Sequence, residues 1–169
     1  QLHVSSQGSG PDMVLVHGWG MHAGVWEDWA DSLAGRFRVH LIDLPGHGYS
    51  EFTAGEHLDD WSAALAEVAP AEAWWLGWSL GGLATLNLAR LYPDRVRGLI
   101  QLASTPRFVA STDWPYGVEA AVFDQFAIGD QRDAVGDGHR LFLVVGDVDE
   151  GDADLFLQVF QFEAHVLPE

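Results

Sequence analysis

Ala73-Trp74-Trp75-Leu76-Gly77-Trp78-Ser79-Leu80-Gly81-Gly82 is the stretch on which the fold turns. Ala73–Gly77 is apolar and Trp-rich, and reads as a short buried strand. Leu80–Leu91 reads as a helix, with Ala84, Leu88 and Leu91 at i, i+4 and i+7 on one face and Pro93 just past its end. Between them, Gly77-Trp78-Ser79-Leu80-Gly81 matches G-x-S-x-G. Five residues of that pattern arise by chance, so the context carries the information. A strand directly before the serine and a helix directly after it are what a nucleophile elbow requires. The turn is strained, and Gly77, Gly81 and Gly82 leave it room. Ser79 then projects above the sheet at the positive end of the following helix. The competing reading is an ordinary helix N-cap serine, and the context favours the nucleophile.

Upstream, Met13-Val14-Leu15-Val16 reads as a buried strand ending in the tight turn His17-Gly18-Trp19-Gly20. Trp26, Trp29 and Leu33 fall at i, i+3 and i+7, the spacing of a helix with one apolar face, closed by Gly35. Phe37–Leu44 reads as another strand, running into the turn-rich Pro45-Gly46-His47-Gly48-Tyr49-Ser50. Asp59 and Asp60 offer N-cap chemistry for a helix with Trp61, Leu65 and Val68 on one face, ended by Pro70. Val96–Ala103 is a further strand. Strands alternating with helices imply parallel βαβ units, so the class is α/β. From Thr105 to Val118 the chain reads as irregular, and beyond Phe126 the alternation is lost.

An acyl-transfer site needs two N–H groups aimed at the developing oxyanion. The residue after the nucleophile, Leu80, supplies one through its backbone. The loop after the earlier strand supplies the other, with Trp19 the natural donor. His17 and His47 read as loop histidines bonded to their own turns. Ser79 also needs a general base oriented by a carboxylate, expected in the chain order Asp or Glu, then His. After Ser79 only His139 and His165 remain. One compact solution makes Leu141–Val145 a strand, takes Asp147 or Asp149 as the acid and His165 as the base. The interval of 18 residues from Asp147 to His165 is short for a crossover.

The bulk properties bound the answer. The chain has 169 residues, 48% of them hydrophobic, enough for a packed core. A complete sheet-and-helix hydrolase needs roughly 200–250 residues or more. The net charge is −17, and all eight basic residues are Arg. Nucleic acid and anionic membranes are therefore not expected partners. Without Cys there is no disulfide framework and no thiolate metal site. No metal or organic cofactor is implied. No signal peptide or membrane span is visible, and a cytoplasmic monomer is expected.

The quoted motifs together resemble a known family. His17-Gly18-Trp19-Gly20, Asp43-Leu44-Pro45-Gly46-His47-Gly48-Tyr49-Ser50 and Trp75-Leu76-Gly77-Trp78-Ser79-Leu80-Gly81-Gly82 are similar to the pimeloyl-[acyl-carrier protein] methyl ester esterases of biotin synthesis. Tyr92-Pro93-Asp94-Arg95-Val96, Ala103-Ser104-Thr105-Pro106 and Trp114-Pro115 continue the likeness, which covers roughly residues 1–126. The resemblance implies an α/β-hydrolase fold, a parallel sheet flanked by helices, present as its N-terminal half plus part of a lid. Residues 1–105 would be the core and 106–169 a partial lid. It implies a serine carboxylesterase that cleaves the methyl ester of a pimeloyl chain held on acyl carrier protein. Ser79 would be the nucleophile, with Trp19 and Leu80 contacting the acyl carbonyl.

In that family an Arg and an apolar stretch of the lid line the acyl tunnel. Arg140 and Leu141-Phe142-Leu143-Val144-Val145 sit at the corresponding place. On that register the catalytic Asp and His follow the lid and fall beyond Glu169, and the chain alone is expected to be nearly inactive. The tail also departs from the family. Residues 127–169 hold ten acidic and two basic residues, whereas the family's lid meets an acidic carrier with basic ones. Like charges repel, so either the partner differs or the segment is not a family lid. Two other classes stay open: another α/β-hydrolase acting on an ester, lactone or C–C bond, and a non-catalytic module that holds an acyl ligand beneath Trp19 and Ser79.

Overall fold

Val14, Leu15 and Val16 have no exposed surface, and they set the middle of a five-stranded sheet. The computed structural model describes residues 1–52 and 57–120. Its strands are β1 (Val4–Gly8), β2 (Asp12–Val16), β3 (Arg38–Ile42), β4 (Ala73–Trp78) and β5 (Val96–Leu102). Its helices are α1 (Glu27–Leu33), α2 (Leu58–Val68) and α3 (Leu80–Leu91), with short 3-10 turns at Ala23–Trp26 and Pro93–Arg95. The sheet order is β1-β3-β2-β4-β5. β2 pairs in parallel with β3 and β4, and β4 in parallel with β5. All the described residues fall in one compact unit. Among them no helix is long and apolar enough to cross a membrane.

Buried parallel strands read as near-continuous apolar runs because helices cover both faces. Here Val14, Val16, Ile42 and Trp75 form one core cluster with Leu65 and Ala66 of α2 and Ala84 and Leu88 of α3. The alternate residues Met13, Leu15, Val39 and Leu41 face the other way and are buried too. Arg95 fastens α2 to the entry of β5, its Nη2 donating to the carbonyls of Ala66, Ala69 and Pro70. A guanidinium at a helix C-terminus satisfies carbonyls that have no partner within the helix.

Several sequence expectations are corrected. β1 was not foreseen. Its Val-Ser-Ser-Gln-Gly is polar because the strand is an exposed edge, and it pairs antiparallel with β3, so the sheet is mixed. Trp26 is buried in a 3-10 turn ahead of α1, and Ala30 rather than Trp29 lies under the helix; Trp29 is 42% exposed. Ala34 is the C-cap of α1, and Gly35 follows it as the closing residue. His57 occupies the N-cap of α2, and the Asp60 carboxylate accepts its backbone N–H at 3.3 Å from inside the first turn. Val96–Ala103 ends one residue early, because Ala103 turns to φ +43°. Residues 105–118 hold only isolated bridges, Val109 to Val118 and Ser111 to Trp114, as the irregular reading implied.

Candidate active site

β4 feeds Ser79 directly into α3, with Ser79 at the N-cap position at φ 53° and ψ −118°. For a residue with a Cβ this backbone costs on the order of 1–3 kcal/mol and persists only where neighbours over-determine it. They do so here. The Ser79 N–H donates to the Leu102 carbonyl at 2.9 Å, and its carbonyl accepts from the Leu83 N–H at 3.1 Å. The Ser104 hydroxyl donates to that same carbonyl at 2.7 Å. A Cβ on Gly77 would collide with Thr85 Oγ1, one on Gly81 with the Val16 and His17 carbonyls, and one on Gly82 with the Ser104 side chain. The three glycines are therefore contact points of the turn. Ser79 Oγ makes no hydrogen bond to a helix N–H, so its side chain does not act as a cap.

The loop after β2 lies against this elbow. A Cβ on Gly18 would stand 3.2 Å from Ser79 Cβ and 3.4 Å from the Trp78 ring. Trp19 and Leu80, the two expected oxyanion donors, each follow one member of the touching pair Gly18 and Ser79. The Trp19 side chain is 41% exposed. Trp78 meets Trp26 edge-on at 6.3 Å between ring centroids, and Trp26 meets Trp29 at 5.7 Å.

His17 is wholly buried beneath the loop. The Leu44 N–H donates to its Nε2 at 3.0 Å, so that nitrogen carries the lone pair and Nδ1 carries the proton. Nδ1–H in turn donates to the Gly18 carbonyl at 2.7 Å. Burial lowers the His17 pKa from 6.5 to about 4, against the opposing pull of the Gly18 bond. The ring is therefore neutral near pH 7, and the 3.7 Å approach of Nε2 to Asp43 Oδ1 is not an ion pair. His47 donates from Nδ1 to the Pro45 carbonyl of its own turn at 2.9 Å.

Asp43 is the residue whose role the sequence reading missed. Its carboxylate is buried and accepts the Ala23 N–H at 2.6 Å and the Tyr49 N–H at 2.9 Å. It thereby ties the loop after β2 to the loop after β3. Gly48, at φ +54°, passes so close that a Cβ there would collide with this carboxylate. The sequence offers only the turn-rich composition of Asp43-Leu44-Pro45-Gly46 as a signal that a loop starts here. Among the described residues no group of three or more His, Asp or Glu side chains is placed to hold a metal ion. Asp147, Asp149, His139, His165, Arg140 and the tunnel candidates Leu141, Phe142, Leu143, Val144 and Val145 lie outside the described residues.

Residues 11–134 match the family model of the alpha/beta hydrolase fold. A relative from Nitrosomonas europaea named pimeloyl-[acyl-carrier protein] methyl ester esterase is 44% identical over 132 residues, 78% of this chain and 52% of the relative. One of the same name from Methylococcus capsulatus is 47% identical over 128 residues, 76% of this chain and 50% of the relative. The chain thus spans about half the length of the curated relatives it matches. An esterase structure from Exiguobacterium antarcticum superposes with a TM-score of 0.69 over 94% of this chain and 63% of its own, at 21% identity, a likeness of fold.

Proposed function

Because the chain belongs to the α/β-hydrolase fold family, we propose that it carries the nucleophile half of a serine carboxylesterase acting on an acyl methyl ester. The observation that carries this reading is the strained Ser79, held at φ 53° between β4 and α3 with Gly18 packed against it. Ser79 Oγ attacks the ester carbonyl and its proton passes to a general base. The tetrahedral oxyanion is received by the backbone N–H groups of Trp19 and Leu80. Methanol leaves, and water releases the acid from the acyl-serine. The names of the relatives support a pimeloyl chain on acyl carrier protein as the substrate. A core of residues 1–105, a partial lid of 106–169 and an acyl tunnel walled by Leu141–Val145 belong to the same proposal.

The base has two candidate sources: His165 oriented by Asp147 or Asp149, or residues that this chain does not contain. A fluorophosphonate probe and p-nitrophenyl esters separate the readings. Labelling that maps to Ser79 and vanishes in Ser79→Ala supports the nucleophile, while labelling that survives in Ser79→Ala overturns it. Ester turnover by the chain that His165→Ala abolishes assigns the compact triad. Weak or absent labelling and turnover, both restored when the chain is joined to the C-terminal half of a relative, assign the base to residues outside the chain. A chain that binds apolar acyl ligands and does not label even when joined to that C-terminal half is the non-catalytic module.

A further inference from the structure

Two side-chain hydrogen bonds of one kind flank the elbow. His17 Nδ1–H donates to the Gly18 carbonyl at 2.7 Å, and the Ser104 hydroxyl donates to the Ser79 carbonyl at 2.7 Å. Each carbonyl already holds a backbone donor, Met21 N–H on Gly18 at 3.3 Å and Leu83 N–H on Ser79 at 3.1 Å. The turns are closed by those backbone bonds, so the side chains add a second donor to each. In a planar trans peptide the carbonyl and the following N–H point in opposite directions. A grip on the Gly18 oxygen therefore fixes the aim of the Trp19 N–H, and a grip on the Ser79 oxygen fixes the aim of the Leu80 N–H. A donor on the carbonyl also polarises its peptide unit, which strengthens the N–H as a donor in turn.

We infer that His17 and Ser104 are a matched pair of positioning residues, each holding the carbonyl of the peptide unit whose N–H faces the developing oxyanion. This rests on the proposed roles of Trp19 and Leu80. Two further features support it. Ser104 reaches the elbow because Ala103 adopts φ +43°, and Ala103 and Ser79 are the two non-glycine residues at positive φ among those described. Gly82 leaves out the one Cβ that would drive Ser104 away. On the other side, the bond from Leu44 N–H commits the His17 proton to Nδ1, the nitrogen that faces Gly18. A histidine needed only for bulk would not require a fixed tautomer.

Paired variants of the full chain test this. Ser104→Ala removes one grip and Ser104→Thr keeps the hydroxyl. His17→Asn places an amide nitrogen near the Nδ1 position, whereas His17→Gln reaches toward Nε2 and leaves the Gly18 oxygen with its backbone donor alone. The readouts are the amide nitrogen shifts of Leu80 and Trp19 and the rate of Ser79 phosphonylation by the fluorophosphonate probe. Ser104→Ala is expected to move the Leu80 amide and slow labelling about tenfold, with Thr restoring both. His17→Gln is expected to move the Trp19 amide, with Asn restoring it. Unshifted Leu80 in Ser104→Ala, or labelling at the rate of the unmodified chain in both loss variants, overturns the inference. If the unmodified chain does not label, Ser79 lacks its base within these residues, and the amide shifts alone decide the grips. If the His17 variants do not fold, the Ser104 pair decides.

Discussion

Gly18 backs onto Ser79 so closely that a Cβ on the glycine would stand 3.2 Å from the serine's own. That spacing is tighter than ordinary contact without being a collision. Gly18→Ala should therefore cost about 1 kcal/mol, at the mild end of overpacking. It should also slow Ser79 labelling, because the Trp19 N–H moves with its loop. Denaturant midpoints and labelling rates measured on the same protein check both effects. Unchanged values for both would mean that the loop is less tightly seated than it stands here.

Ser79→Gly should stabilise the chain while abolishing its labelling. The serine sits at φ 53° and ψ −118°, which glycine adopts without a Cβ penalty. Ser79→Ala is the control, since it removes the hydroxyl and keeps the strain. The glycine variant should exceed the alanine variant by about 1 kcal/mol, or roughly 2–4 °C in melting temperature. Equal melting temperatures would argue that the elbow stores no strain.

His17 makes stability depend on pH below neutrality. Its pKa falls from 6.5 to about 4 on folding, chiefly through burial. Between those values the unfolded chain binds the extra proton, so stability rises with pH through the window. The contribution is complete above about pH 6.5 and lost as pH falls to 4, reaching about 3 kcal/mol in all. Unfolding curves at pH 7 and pH 5 should differ by about 2 kcal/mol from this group. His17→Asn should flatten the difference. An equally steep dependence in that variant would assign the effect to other groups.

Asp43→Asn should be costlier than its near-identical shape suggests. The carboxylate accepts from the Ala23 and Tyr49 N–H groups, so an amide must turn its NH2 toward one of them. The loss should be about 2–3 kcal/mol, read from chemical denaturation. A loss under about 0.5 kcal/mol would mean that the loops hold each other without this carboxylate.

The core was legible because its information is local. Met13–Val16, Ala73–Gly77 and Leu80–Leu91 announce themselves by apolar period and by the residues that end them, and the structure places elements there. β1 was illegible because an edge strand needs few apolar residues; Val-Ser-Ser-Gln-Gly pairs through its backbone. Trp29 lies off the buried face because the chain passes from a 3-10 turn into a helix between Trp26 and Trp29, so no single helical period joins them. At the site, G-x-S-x-G compresses the turn into five neighbours, so the place of Ser79 between β4 and α3 could be read directly. Ser104 meets it across 25 residues, and Asp43 meets Ala23 across 20. No spacing rule encodes contacts that only the folded sheet creates.

The Trp26, Trp29 and Trp78 rings make the elbow optically legible. Their edge-on contacts couple the indole transitions, and Trp78 is the residue directly before Ser79. Near-ultraviolet circular dichroism and tryptophan emission will therefore register the turn itself as well as global melting. A ligand that settles against Ser79 gains a spectroscopic witness already built into the chain.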